Sequence, residues 1–190
     1  MRRAVLDAAR ATAAESGWDA VSLNTVAVRA QVSRPSVYKE FHSRHGLAEA
    51  LAQEEAASFL AEIAAVLESP AASPGASLAA SVDRVLDMAR ANPLVASIVH
   101  AAGNGTDGLL PYLTSRPEPV VGTARRLLAN WFRARFPDSS AAACGAAADV
   151  TVRLTISLIL LPSPGADPAP GRTVAAAALG ALGHEDSARI

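Results

Sequence analysis

The chain has 190 residues, no internal repeat and one cysteine, which suits one compact unit or two small ones and excludes a disulfide scaffold, a collagen or a multidomain machine. Hydrophobic residues make up 51% but aromatics only 4%, and alanine, the best helix former, fills 44 positions, so an all-α protein is expected. A net charge of -1 excludes a generic polyanion binder, yet the first 50 residues carry seven basic side chains against five acidic ones, the asymmetry of a nucleic-acid reader joined to an acidic body.

Val5, Leu6, Ala9 and Ala13 recur at helical spacing, and Gly17 closes this first helix as a left-handed cap would. Trp18 follows, and Ser22 can cap a short second helix carrying Leu23, Val26, Ala27 and Ala30. Gln31 and Val32 form a break. Ser33 then caps a third short helix, with Pro35 in its first turn, where a missing N–H costs nothing, and Val37 and Phe41 facing inward.

After a turn over 42–46, a long fourth helix runs to about residue 68, with Phe59, Leu60, Ile63, Val66 and Leu67 on one stripe. Leu78, Val82, Val85, Leu86 and Ala89 mark a fifth helix, which stops near Asn92 because Pro93 disfavours helix at the residue before it. A short sixth covers 94–102, and 103–108 reads as a loop.

The seventh helix has Val120, Val121, Ala124, Leu127, Leu128, Trp131 and Phe132 on one face and Arg126, Asn130 and Arg133 opposite. Pro137 ends it. The eighth, over 140–161, is apolar on nearly every side and needs more than one neighbour. A Pro- and Gly-rich loop leads to a ninth over 172–182, where Val174, Ala177, Ala178 and Ala181 form a small-residue stripe. Asp7, Arg10, Glu15 and Asp19 interrupt any signal-peptide core, and the apolar stretch 154–161 is too short for a bilayer, so a soluble cytoplasmic protein with no membrane partner is expected.

Three short helices within about 45 residues, the last two joined by a tight turn, are the layout of a helix-turn-helix DNA reader. The run from Val26 to Leu47, with Asp7-Ala8-Ala9, the Gly17-Trp18 corner, Ser22 and the pattern Tyr38-x-x-Phe41-x-Ser43-x-x-x-Leu47, resembles the N-terminal domain of the tetracycline-repressor (TetR) family over residues 4–51. Two positions depart from that pattern. Ala13 stands where the family often has a large aromatic, whose space Trp18 partly fills, and Gln31 replaces the usual turn glycine, so it must take a left-handed or otherwise costly conformation.

Ser33 can offer its hydroxyl and nearby amides to a phosphate, Arg34 can reach a guanine edge with two donors, and Pro35 presents apolar surface to a thymine methyl. Lys39, the only lysine, can meet a base or a phosphate; Ser36, Tyr38 and Arg44 read as backbone clamps. His42 and His45 lack further His or Cys nearby, so they read as turn residues near phosphate and not as a metal site. The resemblance adds Asn24 as a DNA contact and Arg2 and Arg3 as a flexible basic arm.

The resemblance implies a DNA-binding domain over 1–46 and a helical ligand-binding and dimerisation domain over 47–190. The expected function is a ligand-responsive regulator, a repressor released from a palindromic double-stranded DNA operator by a small apolar effector, and a homodimer through helices eight and nine. Candidate effector residues are Met88, His100, Tyr112, Trp131, Asp149 and Arg153, although Asp149 and Arg153, four apart, also suit a plain ion pair. Cys144, in an alanine-rich run, reads as a small core residue. Nothing resembles a catalytic triad, a phosphate loop or a paired-carboxylate site, so no catalytic residue, metal or cofactor is expected. The alternatives are a helical enzyme or interaction protein with incidental resemblance, and a ligand-blind or activating regulator.

Overall fold

The computed structural model describes residues 1–69, 73–102, 121–161 and 168–183. They form an all-α structure of α1 (Arg2–Ser16), α2 (Leu23–Arg29), α3 (Arg34–Phe41), α4 (Arg44–Leu67), α5 (Pro74–Ala91), α6 (Pro93–Ala102), α7 (Thr123–Arg135), α8 (Ala141–Leu160) and α9 (Pro170–Ala181), with a short 3-10 turn at Trp18–Ala20. The 103–108 loop and Val120 lie outside the described residues.

The chain divides into two compact units, Met1–Ala57 with Arg90–Val120, and Ser58–Ala89 with Val121–Ile190. The first packs Val5, Leu6, Ala9 and Ala13 of α1, Val26 of α2, Val37 and Phe41 of α3, Leu47 and Leu51 of α4 and Leu94 of α6 into one apolar core. Ala13 and Trp18 are both buried in it. Gly17 has the expected positive φ of 77°, but its ψ of 163° departs from a left-handed helical cap; this extended region is open essentially to glycine alone.

In the second unit α8 packs against both α7 and α9. Cys144, Ala147, Ala148, Thr151, Val152 and Thr155, at spacings of three and four, are its buried row, and the three small residues let the neighbours approach closely. Thr151 and Thr155 return their hydroxyls to the carbonyls of Ala147 and Thr151, each at 2.8 Å, so burial leaves neither donor unmet. Phe132 is fully buried between Trp131 and Phe136. By length and composition α8 is long and apolar enough to cross a membrane, but it carries Asp149 and Arg153 and builds this core.

On α9 the buried residues are Gly171, Val174, Ala175, Ala178 and Leu179. Of the small-residue stripe, Val174 and Ala178 are buried and Ala177 is exposed. Gly171 donates its N–H to Asp83 Oδ1 of α5 at 2.9 Å, and a Cβ there would collide with the Ala79 carbonyl oxygen. The two helices touch backbone to backbone.

Candidate nucleic-acid interface

Ser22 opens α2 with a capping box: its hydroxyl accepts the Thr25 N–H at 3.0 Å, while its own N–H goes to Thr25 Oγ1 at 2.9 Å. The helix closes where the Val32 N–H reaches the Ala27 carbonyl at 3.0 Å and the Gln31 N–H reaches Val28 at 3.1 Å, the two bonds of a Schellman turn. Gln31 therefore stands at φ 55°, the left-handed conformation that its place in the turn demands.

Ser33 caps α3 through the Ser36 N–H at 3.3 Å and shares a 2.6 Å hydroxyl bond with Ser36. Capping thus engages the hydroxyl expected on a phosphate. Val37 and Phe41 anchor the inner face, and Arg34, Pro35, Tyr38 and Lys39 are exposed on the outside, Tyr38 to 48%. Asn24 is exposed on α2. At the far end the Ser43 N–H reaches the Phe41 carbonyl at 2.6 Å across His42, whose φ of 62° makes a tight γ-turn. Ser43 then accepts the Gly46 N–H at 3.0 Å to start α4. A Cβ at Gly46 would strike the Phe41 carbonyl oxygen, so the α3–α4 corner requires glycine.

The ion pairs sort the basic residues of this unit. Arg29 binds Glu15 at 2.6 Å through both NH groups and so ties α2 to α1. Arg10 binds Asp7, Glu54 and Glu55. Arg2, expected in a flexible arm, is in the first turn of α1; it holds Glu40 at 2.7 Å and lies 5.3 Å over the Phe41 ring. Arg3 also belongs to α1, so the expected arm is helix. Arg44 donates to the Trp18 carbonyl at 2.7 Å and to Asp19 at 3.1 Å, and it lies over the Trp18 ring. Arg34 and Lys39 hold no partner among the described residues, and α3 presents them both to solvent.

Residues 5–51 match the family model for bacterial regulatory proteins of the tetR family, and residues 74–179, more than half of the chain, match that for the bacterial tetracyclin repressor C-terminal domain. The chain belongs to the TetR family. It is a DNA-binding transcriptional regulator, with α2 and α3 as its helix-turn-helix. Among curated proteins it is 29% identical over 167 residues to the HTH-type transcriptional regulator AlkX of Mycobacterium tuberculosis, covering 88% of this chain and 78% of that one. Among solved structures it is similar to the TetR-family repressor AlkX from Dietzia sp. strain DQ12-45-1b, implicated in biodegradation of n-alkanes (26% identity, TM-score 0.69, 96% and 93% of the two chains). It is also similar to a TetR-family regulator from Streptomyces coelicolor (25% identity, TM-score 0.67, 96% and 97%).

The effector candidates are placed unevenly. Met88 is half-buried on α5. Trp131 is buried, and its indole N–H is engaged by the Leu67 carbonyl at 3.2 Å, so this TetR-family regulator uses it as a core residue. Asp149 pairs with Arg153 at 2.5 Å and with Arg125 at 3.0 Å, and the Arg153 side chain is exposed; here the ion-pair reading is the geometry observed. Asp149 raises the Arg153 pKa by accepting its hydrogen bond. The His100 side chain and Tyr112 lie outside the described residues. The sequence reading missed the Arg10 cluster and the Asn92 side chain. Their signal was present as Glu54-Glu55 one after the other on a predicted core helix and Asn92 just before Pro93.

Proposed function

We propose that this TetR-family chain is a homodimeric repressor that reads a palindromic DNA operator with α3 and leaves it when a small apolar effector binds. In the proposal residues 1–46 carry DNA recognition and residues 47–190 carry the effector site and the dimer face, and the protein works in the cytoplasm without enzymatic activity. The observation that carries the DNA half is the sorting of cations: Arg2, Arg10, Arg29 and Arg44 are engaged within the unit, whereas Arg34 and Lys39 stand exposed on α3. A cation with no partner among the described residues gives up no ion pair when it turns to a base or a phosphate.

Arg34 and Lys39 read bases, Pro35 touches a thymine methyl, and Ser33, Ser36, Tyr38, His42, Arg44 and Asn24 hold the backbone. Leu154 of α8 and Leu161 just past its end are exposed apolar side chains, and α9 offers exposed Ala176, Ala177 and Gly180, which supports pairing of two copies through these helices. An effector site in the second unit, near Met88, Trp131 and the Asp149–Arg153 pair, is favoured by the scarcity of large side chains there. The likeness to a repressor implicated in n-alkane biodegradation supports an apolar ligand. A thermal-shift screen of alkanes, apolar acids and esters, repeated on Trp131→Ala and followed by operator release, tests it. An apolar compound that stabilises the protein and frees the duplex is expected; stabilisation without release overturns the effector role.

A further inference from the structure

We propose that Asn92, Glu55 and Arg10 form a positioning relay that sets the DNA affinity of α3 without touching DNA; this rests on the operator reading above. Arg10 of α1 donates from Nε to Glu55 Oε1 at 2.5 Å, from one NH2 group to Glu54 Oε2 at 2.7 Å and from the other to Asp7 Oδ1 at 2.6 Å. The second oxygen of Glu55 accepts the Asn92 side-chain N–H at 2.8 Å. The Asn92 carbonyl oxygen in turn accepts the backbone N–H groups of Leu94 at 2.9 Å and Val95 at 3.3 Å, the first turn of α6.

The Asn92 amide keeps its donor and its acceptor on separate atoms, so Nδ2 reaches the Glu55 carboxylate while Oδ1 caps α6. Capping alone would be met by serine or aspartate. The donor half therefore serves the link from α6 through α4 to α1. These elements share one core with α3, since Leu94 of α6, Leu51 of α4 and Val5 of α1 belong to the same apolar cluster as Val37 and Phe41. Close-packed cores transmit small shifts, so the angle at which α6 meets α1 and α4 bears on the seat of α3.

Burial works against charge on Arg10, but the hydrogen bond and charge of Glu55, with Asp7 and Glu54, more than offset it and raise its pKa, so it stays cationic. Three carboxylates meet the Arg10 guanidinium, and Arg3 lies 4.0 Å from one of them, Asp7. Members of such a hydrogen-bonded network polarise one another, so losing one donor is felt through the others.

The test uses the full chain and a duplex that the wild-type protein selects from a random DNA library. Asn92→Ser keeps the cap but is too short to reach Glu55, and Glu55→Gln removes the charge and turns one of the two acceptor oxygens into a donor, so it cannot accept from Arg10 and Asn92 together. Asn92→Ser should weaken binding about tenfold, with melting temperature, base preference and salt slope kept, because no DNA contact is lost. Glu55→Gln should do the same, and the double variant should be no weaker than the worse single one, as members of one network behave. Wild-type affinity in both single variants, or affinity that falls only in step with melting temperature, overturns the relay and leaves the operator reading standing. A wild-type protein that selects no duplex overturns both.

Discussion

Arg29 and Glu15 meet as a two-point ion pair, both guanidinium NH groups 2.6 Å from separate carboxylate oxygens, and this pair joins the first helix of the DNA-binding unit to the second. The hydrogen bond from Arg29 lowers the Glu15 pKa, with its charge acting in the same direction and desolvation opposing. A depressed folded-state pKa means that the pair's contribution is complete above the ordinary carboxylate pKa and is lost as pH falls through the lowered value. Both groups are solvent-exposed, so the effect is small. Melting curves between neutral and acid pH should show a shallower acid loss for Glu15→Gln than for the wild type; an unchanged acid limb removes the pair from the account.

Arg34→Ala should cost about 1–3 kcal/mol of operator affinity and relax preference at one base position, because its two donors can face a base edge. Lys39→Ala should weaken binding and relax preference at its own base position. Arg44→Ala should weaken all sequences alike and also lower the melting temperature, since this arginine clamps the Trp18 corner by a hydrogen bond and its ring contact. Anisotropy titrations on matched and mismatched duplexes separate the three. Equal loss on both duplexes for Arg34→Ala contradicts its assignment.

Much of this interface was legible in residue order alone. Ser22 and Ser33 announced their caps, Gly17 its positive φ, and Gln31 its left-handed turn, because each of these is decided within a few residues. The destinations of long side chains were not legible. Arg2 reaches Glu40 and Arg44 reaches Trp18 across 38 and 26 positions, and such partners exist only after the helices pack. Nor was it legible which alanines of α9 turn inward, because a run of four alanines has no polar residue to mark its outer face.

Two glycines should resist substitution. Gly46→Ala drives a methyl into the Phe41 carbonyl, and Gly171→Ala drives one into that of Ala79, both unyielding backbone atoms. Each should destabilise by about 1–3 kcal/mol or more, as overpacking does. Denaturant unfolding measures it. Gly145→Ala, which meets open space, is the control and should gain up to about 1 kcal/mol from helix propensity.

The dimer face is best probed at Leu154. Leu158 and Ile159 pack on Val82, Leu86 and Val174 within one chain, so a charge at 158 disturbs the protomer as well as any partner. Leu154 is exposed, and Leu154→Glu should leave the helical content intact while shifting sedimentation from dimer to monomer at micromolar concentration. A dimer that survives this change moves the interface elsewhere.

The claim that Arg34 and Lys39 on α3 read an operator is tested most directly by selecting duplexes from a random library with the purified wild-type chain and with the Arg34→Ala, Lys39→Ala double variant. The account predicts that the wild type enriches an inverted repeat whose binding weakens steeply with salt, and that the double variant enriches no repeat. An inverted repeat enriched equally by both proteins, or no enrichment by the wild type, would contradict it.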